Sequence, residues 1–176
     1  MATNNAINSA SAASTTESGP VEIATAAETT TGTDATRAVS PDGLAGSDYG
    51  IRIVQITVVE GTTDVATGNK QGDYSFRVPI ELNGYNLVSV AAHCETAGTT
   101  GNFDIQIRNA TDTADMLSTV MRIETGETDT STSAQPGTID TANDDVVTAD
   151  KIEIDVDSVQ TTAPKGLTVT MGFQQP

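Results

Sequence analysis

The chain has 176 residues, enough for one domain with its own core, and carries 24 acidic against 8 basic side chains for a formal charge of −16. A surface of that sign repels phosphate backbones and anionic membranes, which argues against both nucleic acid and membrane as partners. Aromatic residues make up 3% and Trp is absent, so the core must rest on Val, Ile and Leu, and so thin a core predicts burial shared between subunits.

Residues 1–20 are mostly Ala, Asn, Ser and Thr, with Ile7 as the one sizeable apolar anchor. Such a segment has too little to bury to fold alone, and the expectation is an extended arm that becomes ordered on a partner. Its first residues lack the basic and apolar regions of a secretory signal. No stretch reaches the length of a membrane-spanning helix, so assembly in the cytosol of the host is expected. Residues 21–47 form a connector with local structure. Gly32-Thr33-Asp34 reads as a turn, with Asp34 as N-cap of a helical turn over Ala35 to Val39. Ser40-Pro41 starts a second helical turn, Ser40 capping and Pro41 at the first helical position, with Gly43 and Gly46 loosening its exit.

From residue 48 onward the pattern is β. Residues 51–59 are a long β-branched strand whose apolar phase shifts near Ile53-Val54, as a bulge or a change of sheet requires. Gly61 to Gly72 is a polar loop. Tyr74, Phe76 and Val78 alternate with polar residues, and Pro79 ends that strand or confines it to an edge. Asn83-Gly84 is a turn. Residues 87–92, the most continuously apolar run, predict a strand buried on both faces at the centre of a sheet. Residues 103–108, 120–124, 151–157 and 167–173 follow as further strands, with a polar loop over 125–138 and at most short strands at Ile139 and Val146-Val147. Phe76, Val88, Val90, Ile105, Ile154 and Val169 are the expected core. Seven or eight strands of similar length without a long helix predict an all-β fold: an antiparallel β-sandwich, with an eight-stranded jelly roll fitting the count, preceded by the extended N-terminal arm. The expected division is residues 1–20 as arm, 21–47 as connector and 48–176 as sandwich.

Two resemblances bear on function. The run Ala24-Thr25, Glu28-Thr29, Gly32-Thr33-Asp34, Arg37-Ala38-Val39, Ser40-Pro41 and Leu44 resembles a short module that recurs in tail-fibre and other appendage proteins of tailed bacteriophages, among elongated trimeric segments. From about Asp73 to Phe173, the words VPIELNGYNLVSV, IRNATD, DMLST, DDVVTADKIEIDVD and KGLTV resemble a domain of phage head-fibre and capsid decoration (cement) proteins. What this second resemblance implies is a non-enzymatic structural protein of the virion's capsid surface, often a homotrimer, with the major capsid protein as partner and no catalytic residues. Attachment through the N-terminal region is the accompanying expectation. A tail-fibre or receptor-binding component is the alternative, and a glycan depolymerase a third.

The residues that carry chemistry elsewhere have plainer uses here. His93 and Cys94 would make a nucleophile and base only if they faced each other, whereas neighbours on a strand point to opposite faces. The lone Cys94 cannot form a disulfide within the chain and reads as a small buried hydrophobe. Asp140, Asp144, Asp145 and Asp150 could offer oxygen to calcium, but their spacing is not that of an EF-hand, and turn aspartates commonly bond to backbone. Glu153, Asp155 and Asp157 are paired-carboxylate candidates for glycoside hydrolysis, read more simply as the solvated face of a strand. Asn109-Ala110-Thr111 is a formal glycosylation sequon, without meaning in a bacterial host. No catalytic, cofactor-binding or metal-binding residue is assigned, and no cofactor is expected.

Overall fold

The computed structural model describes residues 20–69 and 75–176. The expected arm, apart from Pro20, and Tyr74 lie outside the described residues. The chain divides into two compact units, one ending at Ile51 and the other running from Arg52 to Pro176.

The smaller unit holds a parallel pair of two-residue strands, β1 (Ile23–Ala24) and β2 (Ala38–Val39), and two short helices, α1 (Ala26–Thr31) and α2 (Pro41–Ala45). Helix α1 begins where it does because Thr25 and Glu28 cap each other. The Glu28 N–H donates to the Thr25 hydroxyl oxygen, and the Thr25 N–H donates to the Glu28 carboxylate at 3.0 Å. It stops at Gly32, whose φ of 64° is the left-handed cap that glycine adopts without strain. The helical turn expected over Ala35 to Val39 does not form. Asp34 instead accepts the Thr36 N–H at 2.7 Å, an Asx turn that leaves residues 38–39 extended as β2. Ser40 and Pro41 act as read: the Gly43 N–H donates to the Ser40 hydroxyl oxygen at 3.0 Å, with Pro41 at the helix start. Gly43 does not loosen an exit; it is buried inside α2, where a Cβ would approach the Ala24 carbonyl to 3.1 Å. The backbone of β1 thus comes close to α2 at a position without a side chain.

The larger unit is all β. Its strands are β3 (Arg52–Asp64), β4 (Gly68–Asn69), β5 (Ser75–Arg77), β6 (Tyr85–His93), β7 (Phe103–Asn109), β8 (Ala114–Asp115), β9 (Leu117–Thr119), β10 (Met121–Ile123), β11 (Thr138–Ile139), β12 (Asp145–Val146), β13 (Lys151–Ser158) and β14 (Lys165–Gln174). Strands β12-β6-β14-β3 form one antiparallel sheet. Strands β10-β7-β13-β4 form the other, with β5 also on β13 and β8 also on β7; β9 and β11 make a separate pair. The two sheets face each other as a sandwich. Its core is the inward half of each alternating strand: Phe103, Ile105 and Ile107 from β7, Ile152, Ile154 and Val156 from β13, and Leu167, Val169, Met171 and Phe173 from β14. Each such side chain contributes roughly 1.5–3 kcal/mol by leaving water. Phe76 and Phe173 meet across the sandwich with ring centres 6.2 Å apart.

Several expectations change. Strand β6 is central, lying between β12 and β14, yet it is buried on one face only. Its register against β14 shifts between Gly172 and Phe173, so Leu87 pairs with Phe173 and Ser89 with Gly172, leaving Val88 as an extra residue. That bulge resets the alternation: Leu87 points inward, Val88 and Ser89 outward, and Val90, Ala92 and Cys94 inward again. Val88 is thus 39% exposed rather than in the core, while Val90 and Phe76 are half-buried against it. The bulge in β3 sits near Val58, not near Ile53-Val54; Val58 and Val59 are both buried, and Ile53 is exposed. The predicted loop after Gly61 is partly strand, because β3 runs on to Asp64 and β4 follows. Among the described residues, no helix is long and apolar enough to cross a membrane.

Candidate functional site

A groove of about 450 Å³ lies on the outer face of the sheet β12-β6-β14-β3. Register builds its floor. Gln55, Thr170 and Ala91 stand side by side across β3, β14 and β6, and Thr57, Thr168 and His93 form the next row. Because side chains alternate, the partners of these residues on the other face are the core. The floor is therefore fixed by the same packing that stabilises the sandwich. Gln55 donates to the Thr170 hydroxyl oxygen at 3.2 Å, tying two of the strands on the groove side.

One wall is residues 129–131, which run beside the end of β6. The Thr130 N–H donates to the Ala92 carbonyl at 3.1 Å, and the Ala92 N–H donates to the Thr130 hydroxyl oxygen at 3.1 Å. The Cys94 N–H donates to the Thr128 carbonyl at 2.7 Å. Asp129 accepts the Ser131 hydroxyl and its N–H, the latter at 2.7 Å. Those two bonds, and then the positive charge of His93 when present, hold the Asp129 carboxyl below the usual aspartate range. The Glu95 carboxylate lies 3.9 Å from His93 Nε2. Among the described residues no Lys or Arg lines the groove, while Glu95 and Asp129 do, so the chemistry of these residues suits neutral hydrogen-bonding groups or cations and disfavours anions.

The structure separates the residues that sequence singled out. His93 faces the groove, whereas Cys94 points inward at 1% exposure. Burial pushes the Cys94 thiol up to about 11, and the two side chains lie on opposite sides of one strand. Two aspartates of the acidic loop, Asp140 and Asp150, accept backbone bonds in turns. Asp140 accepts the Ala142 N–H at 3.1 Å and the Asn143 amide at 2.8 Å. Asp150 is buried, accepting the Asn109 amide at 3.0 Å and the Val147 N–H at 2.9 Å. Asn109, the head of the sequon, is itself 2% exposed.

The expectation that Glu153, Asp155 and Asp157 share a solvated face needs correction. Glu153 is 4% exposed, with Lys151 Nζ 2.7 Å from its carboxylate. Asp155 is half-buried and Asp157 exposed. Partial desolvation, then Asp115 for Asp155 and Asp155 for Asp157, raise both carboxyls above the ordinary aspartate range. The same sheet carries a two-point ion pair that sequence reasoning missed: Arg122 donates to Asp104 at 2.7 and 3.1 Å. It also missed Asp129 and Ser131. Their Asp-x-Ser spacing is a turn signal, but nothing local says that this turn docks along β6. No protein-family model, curated protein or solved structure matches the chain.

Proposed function

We propose that this chain is a structural protein of a tailed-bacteriophage virion, a homotrimeric capsid decoration (cement) or head-fibre protein that binds the major capsid protein through its N-terminal region. The observation that carries the reading is the strand order. Taking the principal strands in chain order as β3, β4 with β5, β6, β7, β10, β12, β13 and β14, the first pairs with the last and the second with the next to last. The third pairs with the sixth and the fourth with the fifth. That order supports the jelly-roll reading, an architecture recurrent in viral capsid domains. Fold alone does not assign function; the sequence resemblance and the acidic surface supply the rest. In this reading the arm lies over capsid subunits and resists their separation, while the acidic sandwich faces outward and limits nonspecific association.

The connector gives the tail-fibre reading its one specific support. The residues that resemble the phage appendage module are the ones that shape the small unit. Thr25 and Glu28 start a helix, Gly32 ends it, Asp34 turns the chain, and Ser40 with Pro41 starts the second helix. Arg37 gathers Glu22, Glu28 and Asp34 within 3.3 Å. Electron microscopy of virions carrying a label at the C-terminus separates the two. Density over the capsid is the expected result, and density confined to the tail would favour the alternative.

A further inference from the structure

We infer that the groove on the outer face of the sheet β12-β6-β14-β3 is a binding site for an uncharged saccharide. The inference goes beyond the virion reading and does not rest on it.

Its volume of about 450 Å³ falls within the roughly 300–1,000 Å³ of small-molecule sites. The space exists because Ala91 puts only a methyl group between the Gln55–Thr170 pair and the wall at residues 129–131. The polar atoms around that space are open to a ligand. Among the described residues, the hydroxyls of Thr57 and Thr168 make no hydrogen bond. Both bonds from Ser131 fall on Oδ1 of Asp129, which leaves Oδ2 to accept from a ligand. The Glu95 carboxylate stands 3.9 Å from His93 Nε2, too far for a hydrogen bond. Strand pairing sets Thr57, Thr168 and His93 in one row, about 4.8 Å from strand to strand. That is the scale on which one sugar ring spreads its hydroxyls. The row is fixed by the sheet, so little ordering is left for binding to impose.

The chemistry of the lining selects the ligand class. Carboxylates only accept, whereas a threonine hydroxyl and an uncharged imidazole each donate and accept. A sugar hydroxyl also does both, so it matches every one of these groups. An anion would face Glu95 and Asp129 with no Lys or Arg among the described lining residues to offset them. Among the described residues, no group of three or more His, Cys, Asp or Glu is placed to hold a metal ion. An ammonium group only donates, which leaves the hydroxyl hydrogens of Thr57 and Thr168 without an acceptor. The Ala91 methyl on the floor offers contact to the C–H face of a ring. No aromatic side chain lines the groove among the described residues, so one site binds weakly, with a Kd on the order of 1 mM.

The test uses the full-length protein and the methyl glycosides of glucose, galactose, mannose and N-acetylglucosamine as probes, titrated by NMR. At least one of the four should shift amides of residues 55–57, 91–95, 129–131 and 168–170 with a single saturating curve. Ala91→Leu, at an exposed position, fills the groove and should abolish that response. Thr168→Val keeps the side-chain shape and removes one hydroxyl, and should weaken binding about 5-fold or more. Thr141→Val, exposed and outside the groove, should bind as the wild type does. Melting curves confirm that each variant is folded. Spermidine is titrated in parallel as the cationic competitor. The inference is overturned if none of the four glycosides shifts these amides. It is also overturned if Thr168→Val binds as well as the wild type, or if spermidine alone occupies the groove.

Discussion

Asp157 illustrates how a residue read correctly as polar can still carry an energetic consequence that only the fold reveals. Partial desolvation and the nearby charges of Asp155, Asp115 and Asp104 raise its pKa in the folded state, and Asp155 is raised as well. A carboxyl whose folded pKa exceeds its unfolded value binds its proton more tightly when folded. It therefore favours the fold below the unfolded value and loses that contribution as pH rises through the folded one. Asp129 works the other way: its lowered pKa gives stability above the ordinary aspartate value that is lost as pH falls through the depressed one. Thermal stability should accordingly rise as pH drops from neutral into the range just above 3.8, then decline under stronger acid. Asp157→Asn should flatten the rise while matching or exceeding the wild-type melting temperature at pH 7. An unaltered pH profile for this variant, measured by calorimetry, would remove Asp157 as a source of the effect.

At the level of elements, β7, β13 and β14 were readable because their alternation is unbroken, as Phe103-Asp104-Ile105-Gln106-Ile107 demonstrates. Ile105, Ile154 and Val169 accordingly lie at 0–1% exposure. Strand β6 was readable as a strand but not in its facing, because one extra residue at Val88 inverts the phase and a short apolar run carries no mark of where a bulge falls. The small unit shows the same contrast. Its caps follow from Thr25-x-x-Glu28 and Ser40-Pro41, while Asp34 was misread because an Asx turn and a helix N-cap use the same side chain for different backbone paths. The groove was least legible, since its wall at Asp129 and its floor at Thr57, Ala91 and Thr168 come from four separate segments brought together by pairing. The bulge makes a direct prediction. Val90→Asp sets a charge against the core and should cost several kcal/mol, a large share of the roughly 5–15 kcal/mol that holds a domain folded. Val88→Asp, outward by one step of the same strand, should cost about 1 kcal/mol or less. Urea denaturation at low protein concentration is the check, and equal losses for the two would contradict the assigned phase.

On the scale of the whole molecule, the account divides labour between a sandwich that presents an acidic exterior and an N-terminal region that attaches. Apart from Met1, residues 1–20 have one sizeable apolar side chain, Ile7, so a single arm offers little affinity. Backbone pairing along strand edges of the capsid and the simultaneous engagement of several arms would have to supply it. The most direct measurement is co-sedimentation of purified protein with capsids that lack their native copy, comparing the full chain with a variant beginning after residue 20. The account predicts that the full chain sediments with the particles, while the truncated protein remains folded and of unchanged oligomeric mass but stays in the supernatant. Full decoration by the truncated protein would place the anchor in the connector or the sandwich, and failure of the full chain to bind any capsid would contradict the proposed function itself.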